Sequence, residues 1–324
     1  MGDELSTGLS TGGAPLAVAV VGPGRMGLGI AEACALAGSD VAIVDVKPRS
    51  REERRRTLDR AEAKLRAELA LWRETGWASA GRVEAAAARI RFCDEDGDAA
   101  VAAADVAFEA VPERLEIKEQ ALRTVSELLG DAALLASTTS ALSAAELARA
   151  CARPERFVVT HWLNPAAVMP LVEVSAPAGT DADAVERTCA LLRAAGKVPV
   201  RCDGGPGHVI ARIQVVALNE AWRLLEEGVA TAEEIDVACR LGLGVRFASM
   251  GMLHFTDLGG PEILEQVGGY LERTVGGGRF APPAIVGQRA GAGRILARAD
   301  PDAHDVEALR RLVQVVRAAS AVPA

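Results

Sequence analysis

The chain is poor in rings. Of 324 residues only 3% are aromatic, with a single Tyr, while half are hydrophobic. Its core must therefore be built mainly from Ala, Val and Leu. Net positive charge is also missing: the formal balance is −8, which argues against a nucleic-acid binder or a membrane-surface protein. The basic residues are overwhelmingly Arg, a bias from which no function follows. Six cysteines are scattered without a C-x-x-C and without ligand-like spacing to the four histidines. Buried, reduced thiols are expected, and no metal site. No apolar run approaches membrane-spanning length. Residues 1–15 are rich in Gly, Ser and Thr, with neither a basic start nor an apolar stretch, and are expected to form a disordered leader and not a signal peptide. A soluble, cytoplasmic chain long enough for two domains is the expectation.

The glycines carry the most information. Val18-Ala19-Val20-Val21 is a short β-branched strand that runs into Gly22-Pro23-Gly24-Arg25-Met26-Gly27 and then into a helical pattern. A strand, G-x-G-x-x-G and a helix in that order form the dinucleotide-binding fingerprint. Gly22 permits the tight turn, Gly24 lets the backbone approach a pyrophosphate, and Gly27 lets helix and strand pack closely. The next strand, Val41–Val44, ends in Asp45, at the distance where an acid meets the adenosine ribose 2′-hydroxyl. A carboxylate there repels a 2′-phosphate and so selects NAD over NADP, although Lys47 and Arg49 stand close by.

Strands and helices then alternate. Strands are expected near 89–92, over 105–111 and 132–137, over 156–162, 171–175 and 198–202, with helices over 49–74, 113–129 and 181–195. Such alternation predicts a parallel, doubly wound α/β sheet of Rossmann type over residues 16–203. At Asp203-Gly204-Gly205-Pro206-Gly207 the pattern changes, and residues 204–324 are expected to form an all-α domain. Thr231 and Glu234 have the spacing of a capping box in that half.

A bound nicotinamide needs a group that moves a proton when an alcohol becomes a ketone, and His is the commonest base for that task. His161 closes the expected strand in Val158-Val159-Thr160-His161-Trp162-Leu163-Asn164-Pro165. Open parallel sheets place their sites beyond the strands' carboxyl ends. Twelve residues on, Glu173 interrupts an apolar strand, where a carboxylate needs a partner, and a His with a carboxylate orienter is a recurring acid–base pair. The alternatives are a satisfied structural His and a Glu–Arg salt bridge. The hydroxyl cluster Ser137-Thr138-Thr139-Ser140 reads equally as a helix cap before Leu142.

Taken in order, these pieces resemble the short-chain L-3-hydroxyacyl-CoA dehydrogenase family, from about Ala17 to the region of Pro283. The resemblance rests on the glycine fingerprint, Asp45, Glu109-Ala110-Val111-Pro112-Glu113 followed by Lys118, Ala136-Ser137-Thr138-Thr139-Ser140-Ala141-Leu142, His161-Trp162-Leu163-Asn164-Pro165, and Met169-Pro170-Leu171-Val172-Glu173. It implies NAD as cofactor, held by Gly22, Gly24, Arg25, Met26, Gly27, Asp45, Glu113, Lys118 and Asn164. It also implies His161 as the base paired with Glu173, Ser140 on the substrate hydroxyl, and a helical C-terminal domain for substrate binding and homodimerisation. The implied reaction is oxidation of an L-3-hydroxyacyl thioester by hydride transfer.

The chain also departs from that pattern. Gly207-His208-Val209-Ile210-Ala211-Arg212 stands where the family has G-F-I-x-N-R, so Ala211 replaces an Asn and His208 a Phe. Alanine cannot donate to a substrate carbonyl, and losing one such donor costs about a hundredfold or more in rate. Either another group supplies it, such as His208 or a water, or the substrate differs. An ungapped count from Asp45 puts Ala61 and Glu68 at positions where the family has a Ser and a Lys on the CoA. Stretches around Asn219–Gly228 and Leu241–Ala248 are similar to the lambda-crystallin and L-gulonate 3-dehydrogenase branch, which acts on free 3-hydroxy acids. The substrate readings are therefore a CoA thioester, a carrier-protein thioester, or a free L-gulonate- or carnitine-like acid, beside a catalytically weak NAD-binding protein.

Overall fold

The computed structural model describes residues 15–203, 205–289 and 291–320. Apart from Pro15, the expected leader lies outside the described residues. Eight strands are β1 (Ala17–Val21), β2 (Asp40–Val44), β3 (Ile90–Cys93), β4 (Val106–Glu109), β5 (Leu134–Ser137), β6 (Phe157–Trp162), β7 (Leu171–Ser175) and β8 (Val198–Arg201). They form one sheet in the order β3-β2-β1-β4-β5-β6-β7-β8. The chain builds outward from β1 in one direction, then returns and builds the other way from β4. In open α/β sheets ligands bind beyond the carboxyl ends of the strands at such a reversal.

Seven helices cover the two faces: α1 (Arg25–Leu36), α2 (Arg51–Glu74), α3 (Ala80–Arg89), α4 (Gly97–Ala102), α5 (Leu115–Leu128), α6 (Ala144–Ala148) and α7 (Ala182–Ala194). Successive side chains of a strand point to opposite faces, which decides how the core divides. Val18 and Val20 of β1 join α1, α2, α3 and α7 on one side, whereas Ala19 and Val21 join α4, α5 and α6 on the other. Small Ala side chains take many of these places, so the layers close without aromatic bulk.

One strand pair differs from the expected parallel sheet. β6 and β7 run antiparallel, while every other neighbouring pair is parallel. The reason is length. Only residues 163–170 separate the two strands, and a parallel crossover needs about a dozen residues or more. The register of this hairpin sets His161 opposite Glu173.

The chain divides into two compact units, one up to Val215 and one from Val216. The division falls inside α8 (Val209–Glu226), beyond the Gly/Pro cluster at 203–207. The first turn of α8 goes with the sheet because its backbone is bonded there: Gly207 N–H to Ala141 O and Ile210 N–H to a Glu173 carboxylate oxygen.

The second unit is helical, with α9 (Ala232–Ala238), α10 (Val245–Phe247), α11 (Met252–Gly259), α12 (Pro261–Thr274), α13 (Ala284–Arg289) and α14 (Pro301–Ser320). Thr231 and Glu234 form the expected capping box on α9. Within this unit His254 Nε2 lies 2.8 Å from Asp305 of α14, which also takes both Arg294 guanidinium nitrogens at 2.7 and 3.0 Å. Leu218, Trp222, Leu225 and Val229 form an exposed stripe along α8 and just past its end, Trp222 being 70% accessible. No helix among the described residues is long and apolar enough to cross a membrane.

Candidate active site

A cleft of about 570 Å³ opens at the carboxyl ends of β1, β2 and β4. Its walls include Gly22, Gly24, Arg25, Met26, Asp45 and Ser140. The glycine positions can be tested one by one. A Cβ on Gly27 would lie 2.0 Å from Gly22 O, and one on Gly22, whose φ is 114°, would lie 2.8 Å from Ala110 O. A Cβ on Gly24 would meet no protein atom within 4 Å, so that position faces the open cleft. Gly24 is also the N-cap of α1 and provides no side-chain cap, and the first turn carries no acid. By contrast, Ser50 and Glu53 close a full capping box on α2. Gly in place of a capping side chain costs only about a few tenths of a kcal/mol, and the free amides it leaves facing the cleft suit an anion. These residues fit a dinucleotide.

Asp45 ends β2 inside the cleft. One carboxylate oxygen accepts from Lys47 N–H at 3.2 Å, and the other pairs with Arg49 Nε at 2.8 Å. Across the cleft a buried ion network supports the wall. Lys118 Nζ contacts both Glu109 oxygens at 2.9 and 3.2 Å and Val111 O at 3.2 Å, and lies 3.5 Å from Glu113. Ser137 donates to Glu109 as well. Glu113 in turn accepts from Thr139 Oγ1 at 2.5 Å and from the N–H groups of Ser140 and Ala141 at 2.9 and 3.1 Å. Burial alone would raise its pKa. The Thr139 hydroxyl, the Lys118 ammonium and the two amides outweigh that and hold the carboxyl below its ordinary range. Glu113 thus fixes the loop that presents Ser140. Thr139, not Ser140, accepts the Leu142 N–H, which leaves the Ser140 hydroxyl free of the capping role.

His161 and Glu173 do not line that cleft; they are buried, 5% and 1% accessible, near the carboxyl end of β6 and in the middle of β7. His161 Nδ1 is 2.8 Å from Glu173 Oε2, and the other Glu173 oxygen accepts the Ile210 N–H at 2.9 Å. With Nδ1 committed to a carboxylate, the proton-accepting lone pair of the neutral ring belongs to Nε2. His208 stacks on His161 with ring centroids 4.9 Å apart and planes 20° apart.

His208 is not available as the donor missing at Ala211, because both its nitrogens are engaged. Nε2 donates to Thr139 O at 3.2 Å, and Nδ1 lies 3.8 Å from the Cys202 thiol. Burial, then the neighbouring His161, lowers its pKa, while burial and the nearby Glu173 and Asp203 raise that of Cys202, so a neutral ring faces a protonated thiol. His208 keeps the place of an aromatic ring against His161. Through Thr139 it also joins the histidine to the loop of Ser140 and Glu113.

Residues 17–204 match the family model described as the 3-hydroxyacyl-CoA dehydrogenase NAD-binding domain, and residues 207–300 match the C-terminal domain of the same family. The chain belongs to this family. Its cofactor is NAD, and membership makes it an oxidoreductase acting on a CH–OH group. It is similar to the 3-hydroxyadipyl-CoA dehydrogenase of Escherichia coli K12, at 38% identity over 246 residues. That alignment covers 76% of this chain and 49% of the relative, so the chain spans about half of that protein's length. The 5-formyl-3-hydroxy-2-methylpyridine 4-carboxylate 5-dehydrogenase of Mesorhizobium japonicum is 35% identical over 256 residues, covering 78% of this chain and 79% of the relative. Among solved structures, a 3-hydroxyacyl-CoA dehydrogenase from Archaeoglobus fulgidus aligns with a TM-score of 0.71 and 28% identity, covering 94% and 98% of the two chains.

Three features of the site were not legible in the family motifs. Glu109 forms the buried floor under Lys118. Cys202 and Thr139 hold His208, and only the folded chain brings them to it. The third concerns α2: Ala61 lies in the hydrophobic core and the half-buried Glu68 faces the buried Glu32, so the ungapped count led to the inward side of the helix.

Proposed function

We propose that the protein oxidises an L-3-hydroxyacyl thioester to the 3-oxoacyl form, and catalyses the reverse, with His161 and Glu173 as its acid–base pair. The observation that carries this reading is the cross-strand pair itself: a buried imidazole whose Nδ1 meets a carboxylate at 2.8 Å, at the carboxyl end of the sheet. His161 Nε2 takes the hydroxyl proton. Glu173 stabilises the imidazolium that results, and the Ile210 amide keeps the carboxylate aimed at it. Ser140 binds the reacting oxygen from the loop fixed by Glu113. NAD, when bound, supplies the hydride acceptor. Gly22, Gly24, Arg25, Met26 and Gly27 would form the turn that receives its pyrophosphate, Asp45 would hold its ribose, and Glu113, Lys118 and Asn164 would complete the cofactor site.

Two observations favour a second reading, a free 3-hydroxy acid. Ala211 offers no donor for a thioester carbonyl, and His208 has none to spare. A catalytically weak NAD-binding protein is disfavoured because the His161–Glu173 pair is complete. The second unit is assigned to substrate binding and homodimerisation, and the chain to the cytoplasm.

The deciding experiment is NADH formation with L-3-hydroxybutyryl-CoA, its pantetheine or carrier-protein thioester, L-gulonate and L-carnitine. Turnover fastest on a thioester is expected. Turnover confined to the free acids moves the assignment to the second reading, and none on any, with NADH still bound, removes the enzyme. In Ala211→Asn, a gain on the CoA thioester is expected.

A further inference from the structure

Two of the chain's four lysines are buried. Lys118 belongs to the cleft wall, whereas Lys197, just before β8 and 6% accessible, has no role so far. Its Nζ donates to Ala166 O at 2.7 Å, Ala167 O at 2.9 Å and Met169 O at 3.1 Å. It also lies 5.8 Å from the centre of the Trp162 ring. No carboxylate among the described residues pairs with it. An ammonium has three donors, and here three carbonyls use them all, which is how a buried cation without a counter-ion is made tolerable.

All three carbonyls belong to one turn, in which the N–H groups of Val168 and Met169 both bond Pro165 O at 3.0 and 2.9 Å. This turn follows Asn164 directly and joins the strand of His161 to the strand of Glu173. Its other side touches α1, since a Cβ on Gly29 would lie 3.0 Å from Ala166 Cβ. The turn is therefore wedged between the helix of the glycine fingerprint and the Lys197 ammonium.

We propose that Lys197 is a positioning residue: its ammonium closes the 166–169 turn and so holds Asn164 and His161 in place relative to α1 and the cofactor. This rests on the reading of Asn164 as a cofactor contact. Three carbonyls converging on one point repel each other unless a cation lies between them, so loss of the charge loosens the turn. Burial lowers the Lys197 pKa to about 8, and the charge therefore disappears within an accessible range. The titratable group that faces it is the Cys34 thiol of α1, pushed up to about 12 by burial and so neutral throughout that range.

Stability moves in the opposite sense. Because the folded pKa lies below the ordinary 10.5, the unfolded chain holds more protons between about 8 and 10.5, and this group's contribution to stability rises with pH. Cofactor binding that weakens over the range in which this group's contribution to stability rises is thus the mark of a positioning role.

NADH affinity, which requires no alcohol substrate, is measured from about pH 6.5 to about pH 9.5, bracketing the titration. Wild type, Lys197→Arg, Lys197→Met and Glu32→Gln are compared, the last because burial raises the Glu32 pKa to about 8 on the same helix. In wild type and Glu32→Gln the affinity is expected to fall about tenfold as pH rises. Lys197→Arg stays tight across the range, and Lys197→Met is about tenfold weaker throughout, with a flat profile. A flat wild-type profile, a pH dependence abolished by Glu32→Gln, or wild-type affinity in Lys197→Met overturns the proposal. If neither Lys197 variant folds, wild type and Glu32→Gln still decide. Asn164→Ala separates the two assumptions: unchanged affinity there, with weakening in Lys197→Met, keeps the clamp and removes Asn164 as a contact.

Discussion

His161 and Glu173 meet because a short connection forces β6 and β7 to run antiparallel, and the register then sets the two residues side by side. Either residue alone has an ordinary structural explanation; together, with one carboxylate oxygen on the imidazole and the other on a backbone amide, they have the arrangement of the proposed base. Substituting His161→Gln removes the proton acceptor but leaves the cleft of Gly22, Gly24 and Asp45 intact. Turnover is expected to fall by about 10²- to 10⁴-fold, the usual worth of a positioned base, with NADH affinity unchanged. Steady-state kinetics beside fluorescence titration checks both halves, and an unaltered rate would remove His161 from the mechanism. Spacing along the chain made this pair readable. His208 was only half readable: its identity stood out, but its two bonding partners come from the Ser137–Ser140 cluster and from the end of β8, which no local pattern connects.

Among the elements, α1 carries the plainest division between folding and binding. Gly27 is required by the fold, since a methyl group there would enter Gly22 O, whereas Gly24 faces nothing but the cleft. Gly27→Ala should therefore lower the melting temperature sharply. Gly24→Ala should fold with a near-normal melting temperature and bind NADH at least about tenfold more weakly, as one obstructed phosphate contact predicts. Thermal melts and NADH titration of the two variants test this, and equal destabilisation by both would contradict it. The fingerprint, the strand–helix alternation and the Thr231 cap were all visible as local pattern. The antiparallel β7 was not, because a strand's direction depends on the length of its connection and not on its own residues. Helices α3 and α4 escaped for another reason: both are short and built mostly of Ala, whose small side chain contrasts weakly with its polar neighbours.

At the level of the whole molecule, the two units show opposite surfaces. The sheet unit buries its apolar residues on both faces, while the helical unit leaves Leu218, Trp222, Leu225 and Val229 in solvent along α8 and its end. Spacings of four and three residues put Leu218, Trp222 and Leu225 on one helical face, with Val229 just past its end, and an apolar stripe of that kind marks a protein–protein contact. A second copy of the chain is the proposed occupant, since a self-complementary stripe suits a two-fold pair. Sedimentation should give a dimer for the wild type and a monomer for Trp222→Glu; a monomeric wild type would contradict the assignment. The sequence marked where the helical half begins, but not that the first turn of α8 is bonded to the sheet through Gly207 and Ile210.

All three scales converge on one reaction, and one assay tests it most directly. Purified protein is given L-3-hydroxybutyryl-CoA and NAD, and NADH absorbance is followed for wild type beside His161→Gln. The account predicts a steady rise with wild type and a loss of about 10²- to 10⁴-fold in the variant. No rise with wild type that binds NADH normally, or equal rates in the two proteins, would contradict it.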